Sequence, residues 1–281
     1  MFAIVLNKIV GLGNLFKKTW SGVIKDGPYL GYLGALRWHL TIFRDHICSY
    51  AGFGPSGMPV RVRIWGKPVW LRPGTSDYSA YRQVVCREGY GGIEIRRVRS
   101  IIDCGANIGL ASIYFLNRFP EATVLAVEPD PENVALCQQN LEPYGGRVKV
   151  VNGAVWSHRG RVVVVPSEFG PSDKWGVQVR ACESGDSEKV AVDAFDLPSL
   201  MISVGMDQVD LLKLDIERSE LVLFSAPTDE WLPRVRNVII ELHDKDCSDA
   251  FFSALERYEF ELLHRGGNTY CLGLRELSHQ K

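Results

Sequence analysis

The chain has 281 residues, 46% hydrophobic and 10% aromatic, which excludes a wholly disordered chain and a small disulfide-stabilised domain. Residues 1–99 carry 15 basic and 5 acidic side chains, whereas residues 100–281 carry 17 and 28, so a uniformly cationic nucleic-acid-binding protein is not expected. The seven cysteines are scattered without a C-x-x-C pair, which favours a reducing, cytoplasmic location.

The first predicted segment, residues 1–59, is a helical extension with a linker. Residues 1–10 are mostly apolar, but the run is shorter than the roughly 20 residues that cross a bilayer. It also lacks the basic start and cleavage site of a secretory signal. The leucine spacing over residues 29–50 predicts an amphipathic helix, and glycine and proline make residues 52–59 a linker. This helix either packs on its own domain or, with Arg37 and Arg44 and the nearby Trp20 and Trp38, contacts the inner membrane surface.

The second segment, residues 60–99, leads into the main domain. Alternating polarity predicts a hairpin over residues 60–71, and a helix follows over residues 79–88. The third segment, residues 100–281, alternates short apolar strands with helices, which predicts an α/β, Rossmann-like, open and mostly parallel sheet. Predicted strands cover residues 100–104, 123–128, 148–152, 209–215 and 237–242, and predicted helices cover residues 110–119, 131–141, 219–225 and 249–258.

Two further features complete this domain. A glycine-containing turn joins residues 260–264 to residues 269–274, which predicts an antiparallel C-terminal hairpin at the sheet edge. Residues 160–193 interrupt the alternation and are interpreted as an inserted hairpin with an exposed loop that faces the substrate.

A glycine-containing loop follows the first strand of the domain. Asp103 ends the strand, and Gly105-Ala106-Asn107-Ile108-Gly109 leads into a helix. The two glycines let the backbone approach a ligand closely, and the helix start offers N–H groups to an anion. The dinucleotide pattern G-x-G-x-x-G does not fit, because Asn107 replaces its second glycine, so a nicotinamide-dependent oxidoreductase is disfavoured.

The second strand ends in Glu128-Pro129, 25 positions after Asp103. A carboxylate at this position can accept hydrogen bonds from the two hydroxyls of a ribose. The sequence therefore predicts a nucleoside ligand, with residues Asn152, Gly153 and Ala154 after the third strand framing its base.

These residues resemble the first two motifs of class I S-adenosylmethionine-dependent methyltransferases. The later stretch Lys213 to Glu220 and the Glu241-Leu242-His243 end of the fifth strand resemble the FkbM-type members, whose motifs read K-x-D-x-E-G-x-E and E-x-H. The resemblance covers about residues 75–273 and implies methyl transfer to an oxygen of a sugar, polyketide or other secondary metabolite. The loop would then hold the methionine carboxylate, and Asp103 or nearby carbonyls the ammonium.

The strand ends also supply candidates for catalysis. A sugar hydroxyl is a poor nucleophile at neutral pH and needs a general base or a metal ion. The predicted catalytic residues are Asp215, His243, Lys213, Glu217 and Glu241. His243 suits a base, whereas Asp215, Glu241 and His243, with Glu217 as a further donor, could instead bind Mg²⁺. An ion pair for Lys213 and a helix cap for His243 remain alternatives.

Two residues are candidates for acceptor contact. Asp77 belongs to the segment that precedes the first motif, and Arg218 stands where FkbM-type sequences usually have glycine. A long cation there either blocks the usual acceptor path or recruits an acidic acceptor. The main hypothesis is an O-methyltransferase acting on a small molecule or glycan, and the alternative is a non-catalytic adenosyl-ligand-binding or scaffolding protein with the same fold.

Overall fold

The computed structural model describes residues 2–50, 58–165, 173–183, 186 and 191–277. The chain divides into two compact units, residues 1–86 and 87–281. The division falls inside the middle segment that the sequence predicts, because the hairpin after the linker packs on the preceding helices. A Cβ atom added to Gly34 would lie 3.3 Å from the Cα atom of Val62 in the hairpin. The predicted linker lies largely outside the described residues.

The first unit begins with two long helices, α1 (Phe2–Leu30) and α2 (Tyr32–Tyr50). The sequence predicts only the second, yet α1 continues through Gly11 and Gly13, which each cost about 1 kcal/mol in a helix. The break falls instead at Gly31, whose φ of 71° is accessible mainly to glycine. Within the described ranges, no helix is both long and apolar enough to cross a membrane.

A buried polar network joins the elements of this unit. Asp26 on α1 lies 2.9 Å from His39 on α2 and accepts a 3.0 Å hydrogen bond from the Tyr78 hydroxyl. The strands β1 (Val60–Ile64) and β2 (Lys67–Leu71) form the predicted antiparallel hairpin. After it come α3 (Asp77–Tyr81) and a π-helical turn over Arg82–Cys86, so the helical segment begins two residues before its predicted start at residue 79.

The second unit contains the predicted α/β domain. Its strands are β3 (Ser100–Cys104), β4 (Thr123–Glu128), β5 (Val148–Asn152), β6 (Ala154–Val155), β7 (Gly160–Val165), β8 (Gln178–Ala181), β9 (Ala191–Phe195), β10 (Leu211–Leu214), β11 (Asn237–Glu241), β12 (Tyr258–Arg265) and β13 (Asn268–Glu276). Seven of them form one sheet in the order β12-β13-β11-β10-β3-β4-β5. The central pairs are parallel, and the terminal hairpin β12-β13 pairs antiparallel with β11, as the sequence predicts.

A second sheet of four strands has the order β6-β9-β7-β8. It contains part of the insertion that the sequence predicts, although β9 and β6 add two strands to the expected hairpin. Of the polar stretch over residues 167–189, only residues 173–183 and 186 are described. A separate small cluster that includes Trp156 and Val162 forms the apolar core of this sheet.

The helices of the second unit are α4 (Leu110–Arg118), α5 (Pro131–Leu141), α6 (Leu197–Ser203), α7 (Ser219–Phe224) and α8 (Lys245–Ala254). The helix predicted over residues 249–258 begins four residues earlier, because the Asp244 carboxylate accepts the Cys247 N–H at 2.8 Å and caps α8 there. Helix α6, which the sequence analysis missed, is capped in the same way by Asp196, which accepts the Ser199 N–H.

The core of the second unit lies between the sheet and its helices. Ile102, Leu212 and Val238 are fully buried, and they lie side by side on β3, β10 and β11. Phe251 of α8 is buried against the same cluster. This packing fixes the register of the central strands, so their carboxyl ends meet at one edge of the sheet.

Candidate functional site

The predicted site residues follow adjacent parallel strands. Lys213 lies directly beside Asp103 and Ile239 in the sheet, and Asp103 lies beside Ala126. The loops after β3, β4, β10 and β11 therefore leave the sheet at its carboxyl edge, where open α/β sheets bind ligands.

The loop after β3 packs tightly on the loop after β10. Gly105 has a φ of 73°, and a Cβ atom there would lie 1.8 Å from the carbonyl oxygen of Asp215, a distance no side chain tolerates. Gly109 starts α4 with a φ of 87°. Both glycines are thus required by the backbone conformation of this loop.

Most amides of this loop already have internal acceptors. The N–H groups of Gly105 and Ala106 both donate to the Val127 carbonyl at 3.0 Å, and that of Gly109 donates to the Ala106 carbonyl at 2.8 Å. The expected row of free N–H groups for an anion is therefore not present at these positions.

Asp103 lies below the loop and is fully buried. It accepts a 2.6 Å hydrogen bond from Ser112, and its other oxygen lies 3.1 Å from Lys213 Nζ. Lys213 also donates to the carbonyl oxygens of Cys104 and Gly105 at 3.2 and 2.7 Å. This ion pair holds the loop from inside, as the alternative interpretation of Lys213 anticipates.

The charge of Lys213 is secured by its surroundings. Burial by itself lowers the pKa of a lysine, but the carboxylates of Asp103 and Asp215 raise the pKa of Lys213 above its ordinary value. Lys213 therefore stays protonated and acts as a fixed cation under the loop.

Glu128 is the acid at the end of β4, and it is buried. It accepts hydrogen bonds from the amides of Asn107 at 2.8 Å and Asp130 at 3.0 Å, and from the side chain of Asn133 at 3.2 Å. Burial raises the pKa of Glu128 to about 7, against these three bonds, which lower it. A carboxylate can accept about four hydrogen bonds, and Glu128 already accepts three, so about one acceptor site remains for a ligand.

Asn107 connects this acid to the glycine loop. Its φ of 49° lies in the left-handed region, and its backbone N–H is the donor to Glu128. The side-chain oxygen of Asn107 is buried and has no hydrogen-bond partner. An orphaned buried acceptor of this kind is ready for a donor group on a ligand.

The loop after β5 is anchored to the end of β4. The Asn152 side chain donates to the carbonyl oxygens of Glu128 and Pro129 at 3.1 and 3.0 Å, and the Gly153 N–H also donates to the Glu128 carbonyl. Ala154 is buried in β6. Residues 152 and 153 are thus held at the Glu128 end of β4 by backbone-directed hydrogen bonds, and their predicted contact with the base of a nucleoside stays a prediction.

His243 lies among three carboxylates at the ends of β10 and β11. Its Nε2 atom is 3.3 Å from Glu217 and 3.8 Å from Asp215, and its Nδ1 atom is 3.4 Å from Glu220. Burial lowers the pKa of a histidine, but here the neighbouring carboxylates of Glu217 and Glu220 outweigh it and raise the pKa of His243 to about 11. The ring is therefore an imidazolium at neutral pH.

Glu220 is the functional candidate that the sequence analysis missed. It is fully buried, and one oxygen accepts the Ile216 N–H at 2.8 Å while contacting His243. The last acid of the K-x-D-x-E-G-x-E motif was the available signal. An acid at the first turn of α7 also favours the helix dipole, which explains its place in the sequence.

Two other acids at this edge are poorly solvated. Burial raises the pKa of Asp215, although Lys213 opposes the shift, and burial together with Asp215 raises the pKa of Glu241 to about 7. A raised pKa makes a carboxylate a stronger proton acceptor than an ordinary aspartate or glutamate in water.

Three side chains at this edge are close enough together to hold a metal ion, and they differ from the predicted set of ligands. Asp215, Glu217 and His243 each offer one ligand atom, and the three atoms lie within 4.8 Å of one another. The sequence predicts Asp215, Glu241 and His243 with Glu217 as a further donor, whereas this group contains Glu217 and not Glu241. Glu217 has a φ of 49°, in the left-handed region that residues with a side chain seldom adopt.

The two predicted acceptor contacts have different surroundings. Arg218 has a φ of 75°, which explains why glycine is usual there, and its guanidinium pairs with Asp244 at 2.8 Å while half exposed. Asp77, in the first unit, is fully buried and accepts bonds from the Arg72 backbone and guanidinium at 2.8–2.9 Å. That carboxylate fixes the segment between β2 and α3.

Residues 103–266, more than half of the chain, match the family model of the methyltransferase FkbM domain. The chain belongs to this family. The FkbM domain thus includes the glycine loop, Glu128 and the cluster around His243.

Three curated relatives illustrate the similarity. The chain is 27% identical over 223 residues to the AMB antimetabolite synthetase AmbE of Pseudomonas aeruginosa, covering 65% of this chain and 10% of that protein. It is 30% identical to methyltransferase sdnD of Sordaria araneosa, covering 50% of this chain and 65% of the relative. It is 25% identical to the 2-O-methyltransferase NoeI of Sinorhizobium fredii, covering 63% and 74%. The chain thus spans less than two thirds of the first two relatives.

Proposed function

We propose that this FkbM-type chain transfers a methyl group from S-adenosylmethionine to a hydroxyl oxygen of a small-molecule or glycan acceptor. The observation that carries the proposal is the joining of Glu128 to the glycine loop through the Asn107 amide. The acid proposed to bind the ribose and the glycine loop are thereby held together at one edge of the sheet. The membership of the FkbM family supports the same reaction.

The residues of the carboxyl edge suit this cofactor. The buried Asn107 side-chain oxygen has no hydrogen-bond partner, so the loop provides an acceptor for a donor group on the cofactor. When bound, S-adenosylmethionine supplies an electrophilic methyl group on a good leaving group. In this proposal Glu128 accepts ribose hydroxyls, and loop carbonyls rather than Asp103 accept the ammonium group, because Asp103 is paired with Lys213.

The acceptor hydroxyl needs a general base to remove its proton. We propose that Asp215 takes this proton and that His243 orients Asp215, with Nε2 of the ring 3.8 Å from its Oδ1. An imidazolium cannot accept a second proton, so the base role predicted for His243 passes to its neighbour. The half-exposed Arg218, directly before α7, and its partner Asp244, directly before α8, are candidate contacts for the acceptor.

The acceptor class rests on chemistry and on the names of relatives. One relative is a 2-O-methyltransferase, which places its reaction on an oxygen. For this chain, a sugar, glycolipid-like or secondary-metabolite hydroxyl is the proposed target. The acidic balance of residues 100–281 disfavours a nucleic-acid acceptor.

A magnesium ion bound by Asp215, Glu217 and His243 is the second way to activate the hydroxyl, because a metal lowers the pKa of a bound oxygen. The geometry permits it, but the nitrogen of His243 must first lose its proton, which the surrounding carboxylates oppose. Under this alternative, a chelator abolishes turnover and added Mg²⁺ restores it, whereas the Asp215 route is insensitive to chelation.

The first test measures cofactor binding by titration calorimetry. Glu128→Gln keeps the side-chain volume but removes the charge, so we expect S-adenosylmethionine to bind about thirtyfold more weakly, on the roughly 2 kcal/mol scale of hydrogen bonds to charged groups. Glu121→Gln, at an exposed acid, is the matched control and should bind as the wild type does. Unchanged affinity in a folded Glu128→Gln variant would remove Glu128 from the site.

The second test separates an enzyme from the alternative, a non-catalytic adenosyl-ligand-binding or scaffolding protein. Transfer of labelled methyl groups to a cell extract should depend on the wild-type chain and fall by about 10²- to 10⁴-fold in Asp215→Asn, the range for lost proton transfer. Cofactor binding without any methyl transfer to an acceptor would favour the scaffolding protein.

A further inference from the structure

The outer surface of α1 carries a stripe of large apolar side chains. Phe16, Trp20 and Ile24 are spaced four residues apart, so they follow one another along one side of the helix. Their exposed fractions are 59%, 55% and 59%. Three consecutive large apolar side chains left in water mark an interaction surface, which we call the α1 stripe.

The α1 stripe lies apart from the buried side of the helix, although the Phe16 ring meets the edge of Phe43 on α2, with 6.4 Å between the ring centroids. The buried side of α1 contains Thr19, Val23, Asp26 and Leu30, which follow a separate helical row. The Asp26 carboxylate is turned inward, where it meets His39 and Tyr78. The helix therefore buries one row within its own unit and leaves the other row exposed.

The charge beside the stripe is positive. Phe16, Trp20 and Ile24 share an open groove with Lys17, Ser21 and Lys25. Lys18, also exposed, adds a further cation. Between residues 15 and 44, where the side chains of both helices are described, Asp26 is the single acid, and it is buried. A complementary surface must therefore be both apolar and anionic.

We propose that the α1 stripe and its lysines dock on the surface of an anionic phospholipid bilayer. Aromatic and aliphatic side chains on one side of a helix enter the interface between headgroups and acyl chains, and the lysines beside them attract anionic headgroups. A second copy of this chain offers the same cations and is repelled at this surface. The turn between α1 and α2 adds exposed Tyr29, Tyr32 and Leu33.

The test uses the full chain and co-sedimentation with vesicles of phosphatidylcholine, with or without phosphatidylserine. The wild type should sediment with the anionic vesicles at low salt and be released by added salt. Each of Lys17→Gln and Lys25→Gln should weaken partitioning about fivefold, since a lysine near an anionic surface contributes about that much. Trp20→Ser with Ile24→Ser should also reduce the sedimented fraction.

Matched controls lie in the other unit. Ile202→Ser removes a side chain that is 75% exposed, and Arg159→Gln removes an exposed cation, so neither change should alter sedimentation. Wild-type protein that stays in the supernatant with both vesicle types overturns the proposal. Equal binding to neutral vesicles, or a concentration-dependent dimer that Trp20→Ser abolishes, overturns it as well. Circular dichroism establishes that each variant is folded.

Discussion

The His243 ring, with Glu217, Glu220 and Asp215 around it, is the point where the chemistry of individual side chains matters most. Each carboxylate favours the protonated ring, and protonation in turn reduces the repulsion among the three acids. The ring therefore acts as a counter-ion that allows several acids to share one edge of the sheet.

The pH dependence of stability follows from this arrangement. The pKa of His243 is raised from about 6.5 to about 11 in the folded chain, so its contribution is fully present below about pH 6.5 and is lost as the pH rises toward 11. We expect His243→Gln to lower the melting temperature clearly at pH 6 and much less at pH 9.5. His158→Gln, at an exposed ring beside Ser157, is the control. A constant difference at both pH values would contradict the imidazolium assignment.

A second prediction at this scale concerns Gly105. Gly105→Ala places a methyl group against the Asp215 carbonyl and forces a residue with a side chain to a φ of 73°, so we expect a loss of more than about 3 kcal/mol of unfolding free energy. Gly205→Ala has a similar φ of 65° but open space around it, and should cost about 1–2 kcal/mol. Chemical denaturation measures both, and equal losses would show that the close approach contributes nothing.

At the scale of elements, the start of α5 determines how Glu128 is held. Asp130 caps α5 by accepting the N–H groups of Glu132 and Asn133 at 2.7 and 3.1 Å, and the Asn133 side chain donates to Glu128. The cap and Glu128, the acid proposed to bind the ribose, are thus connected through Asn133.

Two substitutions test this connection, Asp130→Ala at the N-cap of α5 and, as its control, Asp196→Ala at the N-cap of α6. Both remove a helix N-cap, so each should lower the unfolding free energy by about 1 kcal/mol. Only Asp130→Ala disturbs Asn133, so only that variant should also weaken S-adenosylmethionine binding in calorimetry. Equal binding in both variants would contradict the connection between the α5 cap and the site.

The bounds of some strands and helices follow from patterns in the sequence, and those of others do not. The strands β3, β4 and β5 have the bounds that the sequence predicts. For β3 and β4 the reason is that strands buried in a parallel sheet are almost continuously apolar, whereas β5 is a partly exposed edge strand. The start of α8 was placed too late, since the decisive signal is one capping aspartate rather than a period of apolar residues. Helix α1 continues through Gly11 and Gly13, although glycine has a low helix propensity, so local sequence preferences do not predict it.

At the scale of the whole molecule, residues 87–281 form a compact unit with its own apolar core. We expect a fragment of these residues to unfold in one cooperative transition and to bind S-adenosylmethionine as the full chain does. Thermal unfolding followed by circular dichroism, and calorimetry with the same fragment, check this. A fragment without a cooperative transition would show that residues 1–86 are needed for folding.

Much of the site was determined by the sequence alone. The fold class, the glycine loop, Glu128 and the acids at the strand ends follow from local patterns, because strand periodicity and motif spacing depend on neighbouring residues. The tertiary structure decided how these groups are paired. Lys213 became the internal partner of Asp103, Glu220 joined the His243 cluster, and Arg218 adopted a glycine conformation. These outcomes depend on distances between loops from different strands, and such distances are set by packing rather than by spacing along the chain.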